Sequence, residues 1–361
     1  MALASGGRLQ GVTGTPGLPS RLWWAWRLRW KRRKLLLRCW RAARRLRAVA
    51  DRTAAITPGA ILLVATIRNE ASRLPEFLAH YRDLGVDHFL IVDNDSDDGS
   101  AAFLTAQPDV SLWQCSDSYR AARFGLDWAG ALLRRFGHGH WCVTVDADEL
   151  LIYPDHDRRD LRALTGHLDA QGIAGMGALM LDLYPEGPLG TSDAPEGAPL
   201  TDRLPWFDAG PWRQRRMKPR RNLWVQGGVR DRVFFADRPD RAPTLNKLPL
   251  IRWRRGYSYF NSTHSMLPPR LNLLWDGPGD PRLSGLLLHS KFLPEIVDKS
   301  REELDRRQHF ADPDLYRGYH RQLTDAPVLR GPGSSRYQGW RQLVRLGLMG
   351  TGSWINKDAS D

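Results

Sequence analysis

From Ile61 onward the chain alternates short apolar runs with segments whose apolar residues recur every three or four positions. Ile61–Thr66 (ILLVAT) is a β-branched run of the buried-strand type. Glu76–Leu84 reads as a helix: Pro75 fits its first turn, Phe77, Leu78, Tyr81 and Leu84 share one face, and Gly85 can close it. The same alternation predicts strands over Asp87–Asp93, Val110–Cys115, Trp141–Val145 and Met176–Leu183, and helices over Ser118–Phe136 and Asp157–Ala170. Strands alternating with helices mean an α/β fold, a mostly parallel sheet with helices on both faces. Tyr184 to about Gln226 is Pro-, Gly- and Trp-rich without a clear element, as a functional loop is. Short strands are expected over Val229–Phe235, Leu248–Trp253 and Gly285–His289, and a C-terminal helical extension over Pro294–His309 and Gln338–Leu348.

The first 55 residues follow another pattern. Residues 1–20 are Gly-, Pro- and Ser-rich and are expected to be disordered. Residues 21–50 contain good helix formers with no Pro or Gly, and Thr57-Pro58-Gly59 closes this arm. At about 100° per residue, Trp23, Trp26, Trp30, Leu37 and Trp40 fall on one arc, interrupted by Arg33 and Arg44, with Trp24, Leu28 and Leu35 off it. Lys31–Lys34 stands where a signal peptide needs its apolar stretch, so a secretory signal is rejected. No run is long enough to cross a bilayer as a helix.

Charge sharpens the division. Residues 1–52 hold 14 Lys and Arg against one acid, Asp51; the chain has 53 bases and 40 acids, so the other 309 residues carry 39 of each. The body is neutral, and the net charge of +13 belongs to the arm. Three cysteines, Cys39, Cys115 and Cys142, form no Cys-x-x-Cys pair and read as free thiols in a reducing compartment. No zinc-binding pattern occurs among the ten histidines.

Candidate chemistry lies where the predicted strands end, since ligands of open α/β sheets bind outside the carboxyl edge. Arg68-Asn69-Glu70 follows the first strand, Asp93–Ser100 (DNDSDDGS) the second and Asp146–Glu149 (DADE) the fourth. Acids gathered there repel one another unless a cation or hydrogen bonds offset them. Asp146 and Asp148 suit a hard divalent cation, although an Asp-x-Asp pair alone is more often a solvated turn. Asn94–Gly99 imitates a calcium loop but has Thr105 where the final Glu must stand, so that reading fails.

Taken together, ATIRNEASRLPEFLAHYRDLGVDHFLIVDNDSDDGS and VTVDADELLIYP resemble the nucleotide-sugar half of family 2 glycosyltransferases, in the branch whose first loop reads Arg-Asn-Glu. The resemblance is strong over about residues 61–155, loose over 156–350 and absent over 1–55. It implies a type A glycosyltransferase fold, Rossmann-like, with a nucleotide-sugar half over 56–155, an acceptor half over 156–350 and a tail over 351–361. It also implies a metal-dependent, inverting transfer of a sugar from a nucleotide-sugar donor to a cell-surface glycan or lipid-linked acceptor, with Mn²⁺ or Mg²⁺ as cofactor. By the same resemblance Thr66, Arg68, Glu70, Asp93, Asn94, Ser96, Asp98 and Asp146 line the nucleotide sugar. Asp146 and Asp148 bind metal, Glu149 faces the core or holds the loop, and His289 or His264 is the third metal ligand. The family's usual Glu-Asp base is not visible, which leaves Asp208, flanked by aromatics, and Asp182 as catalytic candidates, for each of which a structural role weighs more. Lys291 shares a strand face with His289 and suits diphosphate contact; Arg230 and Arg232 reach phosphate or are solvated.

Two other classes stand beside this reading: a nucleic-acid-binding protein using the basic arm, and a catalytically silent scaffold of glycosyltransferase type. The neutral body and the lack of a nucleic-acid motif argue against the first, so no nucleic-acid partner is expected. The intact Asp146 and Asp148 argue against the second. The arm over 21–50 is instead expected on an anionic membrane surface, with the protein cytoplasmic and peripheral to the inner face of the cytoplasmic membrane.

Overall fold

The computed structural model describes residues 18–191, 194–195, 197–306 and 313–355. Its centre is a nine-stranded sheet. In chain order the strands are β1 (Arg47–Ala50), β2 (Ile61–Ile67), β3 (His88–Asp93), β4 (Val110–Gln114), β5 (Trp141–Thr144), β6 (Glu149–Ile152), β7 (Gly175–Asp182), β8 (Asn246–Arg252) and β9 (Gly285–His289). Their order across the sheet is β1-β4-β3-β2-β5-β8-β7-β9-β6. β2, β3, β4 and β5 pair in parallel, as do β7 and β9. β8 is antiparallel to both neighbours, β5 and β7, so six strands run one way and β1, β6 and β8 the other.

The helices are α1 (Leu18–Ala43), α2 (Leu74–Asp83), α3 (Ser100–Thr105), α4 (Leu126–Phe136) and α5 (Leu161–Ala170), with further helices over Ile296–Arg306, Pro313–Thr324 and Trp340–Arg345. The two-residue period of a strand divides β2 between two cores. Ile61, Leu63, Ala65 and Ile67 pack with Phe77 and Tyr81 of α2 and Leu164 of α5 on one face. Leu62 and Val64 pack with Trp128, Leu132 and Leu133 of α4 on the other. Each fully buried aromatic or leucine contributes about 1.5–3 kcal/mol, so both layers are needed. A third cluster joins Tyr184, Val229, Phe234, Phe292 and Leu323 under the C-terminal part.

Several expected elements shift. α4 begins at Leu126, not Ser118, because Arg123, Phe124 and Gly125 all take positive φ (55°, 57° and 76°), which no helix continues through. α5 begins at Leu161, where the Asp160 carboxylate accepts the Ala163 N–H at 2.9 Å as an N-cap. β8 starts two residues before Leu248; Pro249 falls within a register irregularity, where a missing N–H is tolerated in a central strand. Val229–Phe235 is not a strand but a short π-helical turn over Arg230–Phe234. The stretch expected to be irregular holds a strand over Trp206–Asp208 and an antiparallel hairpin, Trp212–Met217 with Asn222–Gly227. Pro313–Thr324 is a helix the hydrophobic pattern did not announce.

The arm is helical only to Ala43; Arg47–Ala50 then forms β1 on the sheet edge. Leu18–Ser20 belong to α1, whereas the disorder expected over residues 1–17 lies outside the described residues. α1 packs on α4 through buried Leu35 and Cys39, and Arg38 pairs with buried Asp127 at 2.7 Å. The close approach needs Gly130: a Cβ there would lie 2.6 Å from Cys39 Sγ. Gly130→Leu is therefore expected to push α1 off the body while leaving the sheet folded. Limited trypsin digestion should then remove residues before about Arg52 faster than from wild type, leaving a stable core. Equal digestion rates would show that α1 does not depend on this contact.

Candidate functional site

Six strands running one way bring their carboxyl ends to a single edge, and the chemistry-bearing residues collect there. β2 leads into Arg68-Asn69-Glu70, β3 ends on Asp93, β5 leads into Asp146–Glu149, β7 ends on Asp182 and β9 on His289. Asp182 and His289 lie directly opposite in the parallel β7–β9 ladder. Because β8 is reversed, its beginning, Asn246-Lys247, arrives at the same edge.

The loop after β3 is built by its own polar groups. Asp93 is fully buried; its carboxylate accepts from the Ser96 hydroxyl and, at 3.2 Å, from Gln114 Nε2. Asn94 Nδ2 donates to the Cys115 and Asp117 carbonyls, and Arg68 Nη1 donates to the Asn94 carbonyl at 3.2 Å. Ser96 Oγ accepts the Asn69 N–H, Ser100 Oγ accepts the Glu70 N–H, and Asp98 accepts the Ala71 N–H at 2.8 Å. The second motif thus shapes the first. Glu70 pairs with Arg73 at 2.6 Å and Lys299 at 3.3 Å. Thr66 Oγ1 is buried without a hydrogen-bond partner, beside Gly125.

The centre is a line of three groups. His289 Nδ1 lies 2.5 Å from Asp182 Oδ1, and His289 Nε2 lies 3.0 Å from Asp148 Oδ2. Asp182 also accepts from Arg230 Nε at 2.7 Å. Burial works against the charge on His289, but Asp148 and Asp182 outweigh it and raise its pKa to about 9. Burial likewise opposes ionisation of Asp148, and His289 and Arg73 overcome it, holding that carboxyl well below the usual range.

A second line flanks it. The Lys247 ammonium, 4% exposed, meets Glu149 at 2.7 Å and Asp146 at 3.1 Å. Burial alone would discharge Lys247; the two carboxylates hold it protonated. Glu149 is pushed up to about 7 by its own burial, against the pull of Lys247. Asp146 remains half exposed, so part of its carboxylate is open to solvent.

The donor set fits a divalent cation in part. With Nδ1–H donating to Asp182, His289 would ligate a cation through Nε2 once that nitrogen gave up its proton, the carboxylate–histidine arrangement of many metal sites. Among the described residues no three His, Cys, Asp or Glu side chains converge on one point. A cation here would therefore take Asp148 and His289 and complete its shell with diphosphate and water, as Mg²⁺ commonly does. Of the two candidate histidines, His289 touches Asp148. His264 instead bonds the Asn246 carbonyl through Nδ1 at 2.5 Å, and burial holds its pKa low.

Both expected bases need correction. Asp182 is 2% exposed and committed to Arg230 and His289; Asp208 is 3% exposed and committed to Arg232 at 2.7 Å and the Tyr184 hydroxyl at 2.5 Å. Neither presents an open oxygen to an acceptor, so each is a positioning group in this arrangement. Arg230 and Arg232 are correspondingly bound to carboxylates, Arg230 buried and Arg232 still partly open to water. Sequence reasoning missed Lys247, whose signal was a lone cation inside the apolar run of β8. It also missed Arg73, which is buried near Glu70, Asp148 and Glu295, and Glu295 itself, whose Oε2 is buried without a hydrogen-bond partner.

No protein-family model matches the sequence. Among curated proteins, a glycosyltransferase family 92 protein of Arabidopsis thaliana is 26% identical over 141 residues, 35% of this chain and 23% of that protein. The chain thus spans about a quarter of the relative's length, and its likeness is to a glycosyltransferase, not to family 2 in particular. Among solved structures, a 4-diphosphocytidyl-2C-methyl-D-erythritol synthase aligns at 17% identity over 40% of this chain and 68% of its own, with a TM-score of 0.25. A Bacillus anthracis protein assigned as a glucose-1-phosphate thymidylyltransferase, solved with sucrose, aligns at 10% identity over 80% of this chain and 94% of its own, also at 0.25. Superpositions that loose say nothing about the site.

The buried Lys247–Glu149 pair makes a direct stability prediction. Lys247→Met should leave Glu149 enclosed without its cation and cost about 3 kcal/mol in urea unfolding, while Lys247→Met with Glu149→Met should recover most of that loss. A single variant as stable as wild type would mean that the pair holds nothing.

Proposed function

We propose that the chain is a glycosyltransferase that takes a sugar from a nucleotide-sugar donor at the carboxyl edge of β2, β3, β5 and β9. The observation that carries the reading is the Asp182–His289–Asp148 line, set beside Asp146 at the end of parallel strands. A glycosyltransferase likeness over 141 residues supports it. The finer assignments belong to the same proposal: an inverting, family 2-like transfer, Mn²⁺ or Mg²⁺ as cofactor, and a glycan or lipid-linked acceptor.

In this mechanism the Arg-Asn-Glu loop and the loop after Asp93 enclose the nucleoside, and Asp146 stands beside its ribose. Asp148 and His289 would hold the cation, which when bound supplies a Lewis acid to the diphosphate oxygens. Asp182 keeps the imidazole in one tautomer and one orientation, and Arg230 keeps Asp182 ionised. Lys291 and Arg73 lend positive potential around Asp148, favouring the diphosphate as its charge grows on leaving. Inversion also needs a carboxylate to accept the acceptor hydroxyl's proton. With Asp182 and Asp208 committed to arginines, that role would fall to Glu295, whose Oε2 is buried but has no hydrogen-bond partner and which shares the neighbourhood of Arg73 with Asp148.

Incubation with UDP-, GDP- and dTDP-sugars plus Mn²⁺ should release nucleoside diphosphate from one donor class, and EDTA should stop the release. Asp148→Asn removes charge without volume, so turnover should fall at least about a thousandfold while the chain still folds, with a melting temperature lowered by the lost pair to His289. Wild-type activity in that variant would overturn the site. Glu295→Gln should lower kcat about a hundredfold or more with donor KM nearly unchanged, as loss of a general base does. A raised KM with normal kcat would place Glu295 in binding instead.

A further inference from the structure

The aromatic arc of α1 faces away from the body. Trp23, Trp26, Trp30 and Trp40 are 44–58% exposed and Leu37 is 44% exposed, while the off-arc residues Leu35 and Cys39 make the contact with α4. Four indoles in a row facing water have no structural duty and are costly unless something covers them. Arginines and lysines are interspersed among them, and α1 contains no acid. Arg33 and Arg44, which interrupt the arc, lie over indole faces, Arg33 5.1 Å from the Trp30 ring and Arg44 3.7 Å from the Trp40 ring. Their charge travels with the rings instead of splitting the stripe.

The opposite face of α1 adds a second observation. Its N-terminal half lines an open groove of about 810 Å³ against the turns at 218–221 and 267–270. Trp24, Leu28 and Leu267 give it apolar walls, and Arg21, Arg29, Arg32, Lys218, Arg221 and Arg270 supply cations, with no carboxylate among its lining residues. Like charges facing each other across apolar walls call for an anion.

We propose that α1 seats the protein on an anionic lipid bilayer, its tryptophan stripe at headgroup depth and the groove cations level with lipid phosphates. The dimensions agree: a helix about 10–12 Å across, its apolar face sunk about 5–10 Å, has its upper face near the phosphate plane. A nucleic-acid duplex would answer the charge but leave the indoles in water; only the bilayer covers both. No described helix is long and apolar enough to cross a membrane, so the association is along the surface. The inference stands apart from the sugar-transfer reading.

Flotation of the full chain on vesicles tests it. The protein should rise with phosphatidylcholine vesicles containing phosphatidylglycerol, stay down with phosphatidylcholine alone, and be released by high salt. Trp26→Ser, at the most exposed indole, and the triple variant with Trp23→Ser and Trp30→Ser should progressively lose flotation. Arg29→Glu, Arg32→Glu and Arg270→Glu together should weaken binding at least about tenfold. Nucleoside diphosphate release in solution should be unchanged in all of them, which separates this test from that of the site. The proposal is overturned if the chain stays down with both vesicles, if it floats equally on neutral ones, or if a DNA duplex binds while anionic vesicles do not.

Discussion

The folded edge depends on opposing charges that cannot be separated once buried. Parallel strands deliver Asp93, Asp146, Asp148, Glu149 and Asp182 to one side of the sheet, and such a gathering of acids would be self-repelling. It is made tolerable by cations that arrive from elsewhere in the chain: His289 from β9, Lys247 from the reversed β8, Arg230 from the turn after the 212–227 hairpin. Removing one partner of such a pair costs more than the pair itself contributes, because the other is left charged and enclosed. The C-terminal half of the chain is thus an electrostatic condition for the N-terminal half to fold as it does, and one continuous sheet joins them.

The same constraint explains what was legible in the sequence. β2, β3, β4 and β5 announce themselves because each is a continuous apolar run, and the motifs at their ends are contiguous in the chain. The pairing partners are not contiguous. Asp182 looked like a base because a carboxylate at a strand end, taken alone, is open; nothing local shows that Arg230, 48 positions later, returns to claim it. Asp208 was misread for the same reason, with Arg232 as the missing partner. His289 was legible as a candidate only because its strand was, and the choice over His264 required the parallel register that sets it opposite Asp182.

β6 shows a different limit. Glu149–Ile152 is four apolar-leaning residues directly after the Asp146–Asp148 turn, indistinguishable by period from a continuation of that loop. In the structure it crosses to the far edge of the sheet and pairs with β9, which places Glu149 opposite His289. That strand carries the acidic motif around the site instead of away from it. Without it, Glu149 would not be buried and Lys247 would have a solvated partner only.

α1 carries the argument one step further. A helical wheel states that two faces of a helix differ; it does not state which face the protein covers. The arc of Trp23, Trp26, Trp30, Leu37 and Trp40 is the more aromatic face, yet the smaller one, with Leu35, Cys39 and nearby Gly130, is the face that lets two helices approach closely. Close packing selects for small residues and fit, whereas large amphipathic rings lose least by staying at a boundary between water and something apolar. The sequence pattern marked the aromatic stripe as a surface for a partner but did not show which residues seat α1 on the body, and that contact through Leu35 and Cys39 is what turns the stripe outward.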